Sequence, residues 1–240
     1  METLFDRSQT FAGSRPIDRG FDAGLRRYMA GIYGNMAAGL GLTGLVALLV
    51  ASTPALYQPI FGTPLKWVAI FAPLAFVLVL SFGVHRMSTA AVRTAFFAFA
   101  AVMGVSMASI FLVFTGESIA LAFFMAAALF LALSLWGYTT HVDLSRWSTF
   151  LLVGLVGVVI ASIVNLFLQS SMLQLVFSIA GILVFTGLTA WDTQRLKSEY
   201  LAYGGGEATG KLAAMGALSL YLNVINLFQL LLTFVGQRRE

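Results

Sequence analysis

Apolar residues in this chain come in long unbroken blocks. Seven of them, at about 30–51, 66–84, 92–114, 119–138, 148–168, 172–194 and 212–235, are near the ~20 residues that cross a bilayer as a helix. Strands of a membrane barrel would alternate apolar and polar residues, and these blocks do not. The pattern predicts an all-α polytopic membrane protein, a bundle of seven transmembrane helices. Most links are short. The exceptions are 52–65, which holds Pro54, Pro59 and Pro64, and 195–211, which holds Gly204, Gly205 and Gly206 and reads as loop. No internal repeat is visible, so an inverted-repeat transporter gains no support.

Residues 1–29 are polar and form a separate arm before the membrane domain of residues 30–240. Arg7, Arg15, Arg19, Arg26 and Arg27 alternate there with Asp6, Asp18 and Asp22. A secretory signal would need a short apolar core near the start and a small-residue cleavage site. The first apolar block starts later and is long enough to span, so it reads as an uncleaved helix. With the arm in the cytosol, that side also collects Arg86, Arg93, Arg146, Arg195, Lys197 and Lys211, against Lys66, Arg238 and Arg239 outside. This bias favours a cytosolic N-terminus. Seven crossings put Gln237–Glu240 outside, whereas a re-entrant last block would return them to the cytosol. The glycines of the first block, Gly31, Gly34, Gly39, Gly41 and Gly44, read as a packing face.

Composition agrees with the blocks. Charged residues make up 10% of the 240, against about 25% in soluble domains, and the mean hydropathy is +0.90. Cysteine is absent, which excludes disulfides and thiolate chemistry. The basic residues lie between blocks, not in one patch, so nucleic acid is not a predicted partner. His85 and His141 both fall in links, so no intramembrane Ser–His dyad is available. No His-Glu-x-x-His motif occurs, and the last block has no buried lysine for a retinal Schiff base. Nothing points to an enzyme. Glu117 reads as a solvated loop charge; His141, Asp143 and Arg146 read as an interfacial loop.

The polar residues inside the blocks are more informative. Asp192 ends the sixth block in Phe185-Thr-Gly-Leu-Thr-Ala-Trp-Asp-Thr-Gln-Arg-Leu-Lys197. A carboxylate at that depth needs a partner. Either Arg195 neutralises it locally, or it faces the bundle interior. At 100° per residue Ser178, Ile182, Phe185, Thr189 and Asp192 share a face. In the last block Ser219, Asn223, Asn226 and Thr233 share another, with Gln229 at its margin. Amides facing lipid would stay unpaired, so this last face should meet other helices. Asn35 and Asn165 read as lone packing amides.

The Asp192 segment, with Ala217-Leu-Ser-Leu-Tyr-Leu-Asn-Val-Ile-Asn-Leu-Phe228 and Gly137-Tyr-Thr-Thr-His-Val-Asp-Leu-Ser-Arg146, resembles the bacterial branch of the Bax inhibitor-1 family, the transmembrane Bax-inhibitor-motif proteins. The likeness runs from about residue 20 to the end. It implies a seven-helix bundle with the last helix central, ringed by the others, in a bacterial inner membrane. It also implies a pH-sensitive calcium leak controlled by two hydrogen-bonded aspartates on the sixth and seventh helices, with a second-helix arginine as latch. No cofactor is implied; calcium or protons are the ions, and an inner-membrane AAA protease is a partner of one bacterial member.

Carried across, Asp192 matches the sixth-helix aspartate and Arg86 the latch. The seventh-helix aspartate is replaced by Asn223, so the paired-carboxylate sensor is incomplete. The expected activity is a gated cation leak, with Asp192 and Asn223 as gate, Arg86 as latch, and Thr189, Ser219 and Asn226 as the supporting polar face. The alternative is a non-conducting regulator that binds a membrane protease. A proton-coupled transporter is a third reading.

Overall fold

The computed structural model describes residues 16–203 and 207–239. It contains eight α-helices: α1 (Pro16–Ser52), α2 (Pro54–Phe61), α3 (Leu65–Gly83), α4 (Thr89–Val113), α5 (Gly116–Thr139), α6 (Ser148–Leu168), α7 (Ser171–Tyr203) and α8 (Glu207–Val235). Seven of them, all but α2, are long and apolar enough to cross a membrane. Two 3-10 turns, Val84–Arg86 and Leu144–Trp147, lead into α4 and α6. Among the described residues the one β feature is an isolated antiparallel bridge between Phe114 and Arg238.

Several boundaries differ from those the apolar blocks suggest. The polar stretch 16–29 is helical and continuous with the first span, so a boundary at residue 30 falls inside α1. Residues 1–15, with Arg7 and Arg15, lie outside the described residues, as does the Gly204–Gly206 link. The proline-rich link carries α2, started by Pro54 in its first turn, where proline lacks no needed hydrogen bond. α7 continues past Asp192 to Tyr203, so much of the expected 195–211 loop is helix. Polar caps set other ends. Ser88 accepts from the Ala91 amide, Thr115 from the Ser118 amide and Ser170 from the Leu173 amide, each occupying an N–H that the first turn leaves free. Asn165 is also a cap: its Oδ1 accepts from the Ser170 amide at 2.9 Å, across a turn in which Gln169 is left-handed (φ 50°).

α8 is the axis of the bundle. In its most apolar stretch 61% of residues are buried, against 17–33% in the other spans. α1, α4, α5 and α7 surround it, while α3 backs α4 and α6 backs α7. The expected ring of six is thus an inner ring of four with two outer helices. Tyr221 of α8 is fully buried, edge-on to Phe96 and Phe99 at centroid distances of 5.6 and 5.7 Å. Its hydroxyl meets Thr43 of α1 at 2.6 Å, and Thr43 donates to the Ala100 carbonyl of α4, so the phenol is satisfied within an apolar core. Two glycines let backbones touch. A Cβ on Gly137 of α5 would strike the Ala190 carbonyl of α7, and one on Gly104 of α4 would lie 2.7 Å from the Thr43 carbonyl. The glycines of the first apolar block largely do not serve packing. Of those five only Gly39 is tight, against Phe96; a Cβ on Gly31, Gly34, Gly41 or Gly44 would meet open space, while Gly24, earlier in α1, is tight against Tyr200.

The strict up-and-down order of the spans puts the start of α1 and the end of α8 on opposite faces. The C-terminal tail confirms this. The Thr115 amide donates to the Gln237 carbonyl, the Arg239 amide to the Val113 carbonyl and the Gln237 amide to Ser118 Oγ. These bonds hold the tail on the α4–α5 turn, so α8 crosses fully and is not re-entrant. We call the face holding that turn the far face and the one where α1 begins the near face.

Candidate functional site

Asp192 lies where α7 packs on α8 and is 4% exposed. It is reached from two directions. Asn223 of α8, also buried, donates from Nδ2 to Asp192 Oδ2 at 2.8 Å. Arg195, one turn further along α7, brings Nη2 to 2.8 Å from Oδ1. The two sequence alternatives are therefore both realised: the carboxylate faces the bundle interior and is paired locally. A carboxylate is costly to remove from water unless charge and hydrogen bonds compensate it. Here one oxygen has the amide and the other the guanidinium.

Arg195 connects this buried group to the near face. Its side chain is 37% exposed. Nη2 also donates to Ser219 of α8 at 3.3 Å, Nε lies 3.7 Å from Glu199, and the guanidinium sits over the Trp191 ring at 5.0 Å. A planar five-donor group can make these contacts together, which a lysine could not. Arg195 and Glu199 complete an i, i+3, i+7 charge series with Asp192. That spacing was visible in the sequence and marks one helix face.

The other predicted residues divide. Ser219 joins the site through Arg195. Thr189 is fully buried, but its hydroxyl donates to the Phe185 carbonyl of its own helix. Asn226 is half-buried and donates to the Leu222 carbonyl. Neither hydrogen-bonds Asp192, because each hydroxyl or amide closes on the preceding turn. Arg86 does not latch Asp192 here. It is exposed, on the 3-10 turn after α3, and no ion pair to it occurs among the described residues. The reason is architectural: α3 belongs to the outer layer, backing α4 and not α7. Arg195 occupies the place expected of the latch.

Sequence reasoning missed a polar string beside the site. Tyr33 of α1, Ser134 of α5 and Thr193 of α7 follow one another at 2.5 and 3.0 Å, and Thr193 donates onward to the Thr189 carbonyl. Their signal was weak, one hydroxyl per helix. On the near face, Gln194 holds the α5–α6 link: its Oε1 accepts from the Leu144 amide and its Nε2 donates to the Val142 carbonyl. In that link Asp143 accepts from the Ser145 amide, and Ser145 holds the exposed carboxyl below the ordinary aspartate value. Arg146 lies 3.9 Å away and is exposed. As expected, this is a solvated loop. Glu117, exposed in the first turn of α5, faces the positive end of that helix.

Beyond Asn223 the core is sealed towards the far face. Leu227, Phe228, Leu231 and Leu232 of α8 are all buried and apolar. The site is therefore a buried polar centre linked to the near face through Arg195 and bounded by apolar side chains on the far side. No group of three or more His, Cys, Asp or Glu residues that could hold a metal occurs among the described residues.

Residues 25–240 match the family described as "Inhibitor of apoptosis-promoting Bax1". A protein of Rickettsia prowazekii is 44% identical over 220 residues, covering 92% of this chain and 93% of its own length. A protein of Caulobacter vibrioides is 41% identical over 248 residues, covering 98% of this chain and 99% of its own. The "Inner membrane protein YbhL" of Escherichia coli is 41% identical over 220 residues, covering 90% and 94%.

Proposed function

This chain belongs to the Bax inhibitor-1 family, and we propose that it is a gated cation leak, with calcium as the ion and Asp192 as the gate carboxylate, in a bacterial inner membrane. The observation that carries this reading is the buried Asp192, bonded at once to Asn223 of the central helix and to a partly exposed arginine. An intramembrane carboxylate held by a breakable partner is the usual mark of an ion or proton path. On this reading the conformation described is the closed state: Arg195 occupies the carboxylate, and Leu227, Phe228, Leu231 and Leu232 line the far side. Opening requires Arg195 to leave Oδ1 and α8 to shift against its four neighbours. Released, Asp192 Oδ1 and the Asn223 carbonyl are both hard oxygen ligands suited to calcium. The basic bias of the near face supports a cytosolic orientation for it.

The test is calcium flux into liposomes holding this protein alone, wild type against Asp192→Asn. The variant keeps the shape and loses the charge, so flux should change while thermal stability stays within about 1 kcal/mol, the net scale of one hydrogen bond. Equal flux at every pH tested would refute the gate. A second reading, a non-conducting regulator that binds a membrane protease, is favoured by one feature: Asn223 supplies an amide where the resembled pattern has a second carboxylate. Wild-type liposomes without flux would select it.

A further inference from the structure

The far half of the bundle holds a cavity of about 340 Å³, bounded by α1, α4, α5 and α8. This is within the size range of small-molecule pockets, ~300–1,000 Å³. Its walls are apolar, with Met107, Ile119, Ile225 and Phe228 among them. Thr43 also borders it, but its hydroxyl is committed to Ala100 and Tyr221. A resident water needs two to four polar partners, and the walls offer none. The cavity exists because α4 and α5, joined by the tight Phe114–Thr115 link, hardly touch along their lengths. It opens to the membrane. Gly44 and Phe124 on its rim are exposed, and a Cβ on Gly44 or Gly116 would meet open space.

The rim at the far face carries a second feature. The pinned C-terminal tail sets Arg238 and Arg239, both exposed, against Phe114 and Val113, next to the cavity residues Phe111 and Gly116. Backbone bonds fix the main chain of this tail, so both arginines extend from a held stretch at the far end of the bundle. Glu117, also exposed, shares the rim. Its carboxylate offsets part of a general positive field. What remains specific is the pair of guanidinium groups: the fork matches phosphate oxygens two at a time, and like-charge repulsion at close range disfavours a phosphate that carries a choline ammonium beside it.

We propose that this cavity is a phospholipid site: one acyl chain of an anionic phospholipid from the far-face leaflet enters between α1, α4, α5 and α8, and its phosphate is held by Arg238 and Arg239. The occupant fills the gap between α4 and α5 and so couples the lipid to α8, whose Ile225 and Phe228 form one wall.

Native mass spectrometry on protein released from nanodiscs tests this, with phosphatidylglycerol and phosphatidylcholine supplied in equal amounts. Wild type should retain one phosphatidylglycerol per chain, at least fivefold over phosphatidylcholine. Arg238→Gln with Arg239→Gln should erase that preference. Gly44→Leu, whose side chain enters the open space, should reduce retention of both lipids at least fivefold. Ala120→Leu, on the opposite wall, is the second filling variant, and heat-resistance of the purified protein reports folding. A diazirine at the acyl terminus should label Phe111, Ile119 or Phe124 in wild type. Equal retention of the two lipids by wild type, retention unchanged in both folded filling variants, or labelling confined to α3 and α6 would each overturn the site. So would a wild-type mass showing a second copy of the chain in place of lipid.

Discussion

Removing Arg195 gives the sharpest test of the Asp192 centre. In Arg195→Met the stem still covers Trp191, but Asp192 Oδ1 loses its guanidinium while Oδ2 keeps Asn223. Breaking a fully buried pair from one side costs about 3–5 kcal/mol, and an exposed helix pair is worth about 0.3–0.5 kcal/mol. The Asp192 side chain is 5% exposed and that of Arg195 37%, which places this pair between those limits, at about 2 kcal/mol. Removing both charges, in Asp192→Leu with Arg195→Met, takes away the uncompensated carboxylate as well. The double variant should therefore be more stable than Arg195→Met alone, with a coupling of about 2 kcal/mol in the cycle. The assay is unfolding of the protein in one fixed detergent, with calcium flux measured on the same four proteins in liposomes. If Asp192 gates the proposed leak, Arg195→Met should leak faster than wild type. A coupling below about 0.5 kcal/mol, with flux unaltered, would mean that the short contact is incidental and that Arg195 serves only the helix surface.

Three further outcomes follow from the geometry. Asn223→Asp puts a second carboxylate within hydrogen-bond reach of Asp192; two such groups share a proton rather than both ionising, so flux of the variant should depend on pH more steeply than wild type in the same lipid, and equal profiles would show the positions to be uncoupled. Gly137→Val drives a branched side chain into the Ala190 carbonyl and should cost at least ~1–3 kcal/mol by overpacking, read as a lower yield of folded protein, whereas the same change at Gly31, which faces open space, should leave yield unaltered. Asp143 has a depressed pKa through Ser145, so its contribution to the α5–α6 link is present above the ordinary aspartate value, near ~3.9, and fades as pH falls through the lower folded value; protection of the Ser145 amide, taken against its intrinsic exchange rate at each pH, should fall in that acid window in wild type and stay constant there in Asp143→Asn.

The spans were legible because each is decided within its own segment, by the length of an apolar block. The meeting of Asp192 with Asn223 was legible for a related reason: helical spacing alone puts each on the polar face of its helix, and an unpaired group cannot face lipid. What sequence did not decide was pairing across helices. Arg86 and Arg195 are chemically equivalent candidates for Asp192, and only the packing of α3 outside α4 removes the first. The glycines of the first apolar block misled because a lipid-facing glycine and a packed one look alike in sequence; Gly39 differs from Gly41 only in having Phe96 opposite it. The helical stretch 16–29 was hidden because it has no apolar block to announce it, and α2 because its prolines read as breakers although Pro54 opens a helix.

The position of α8 in the chain has a consequence for how the protein is made. Translation delivers α1 to α7 into the membrane before the helix they enclose has been synthesised. Until then the inner faces of α1, α4, α5 and α7, including the Asp192 carboxylate and the Thr43 hydroxyl, have only one another and lipid to contact. α1 can already pack on α4, and α7 on α5 and α6, but the bundle closes only when α8 slots in and its tail clips to the α4–α5 turn. Ribosome stalling or premature termination anywhere before residue 207 would leave a product with exposed intramembrane polar groups, a ready substrate for membrane quality-control proteases.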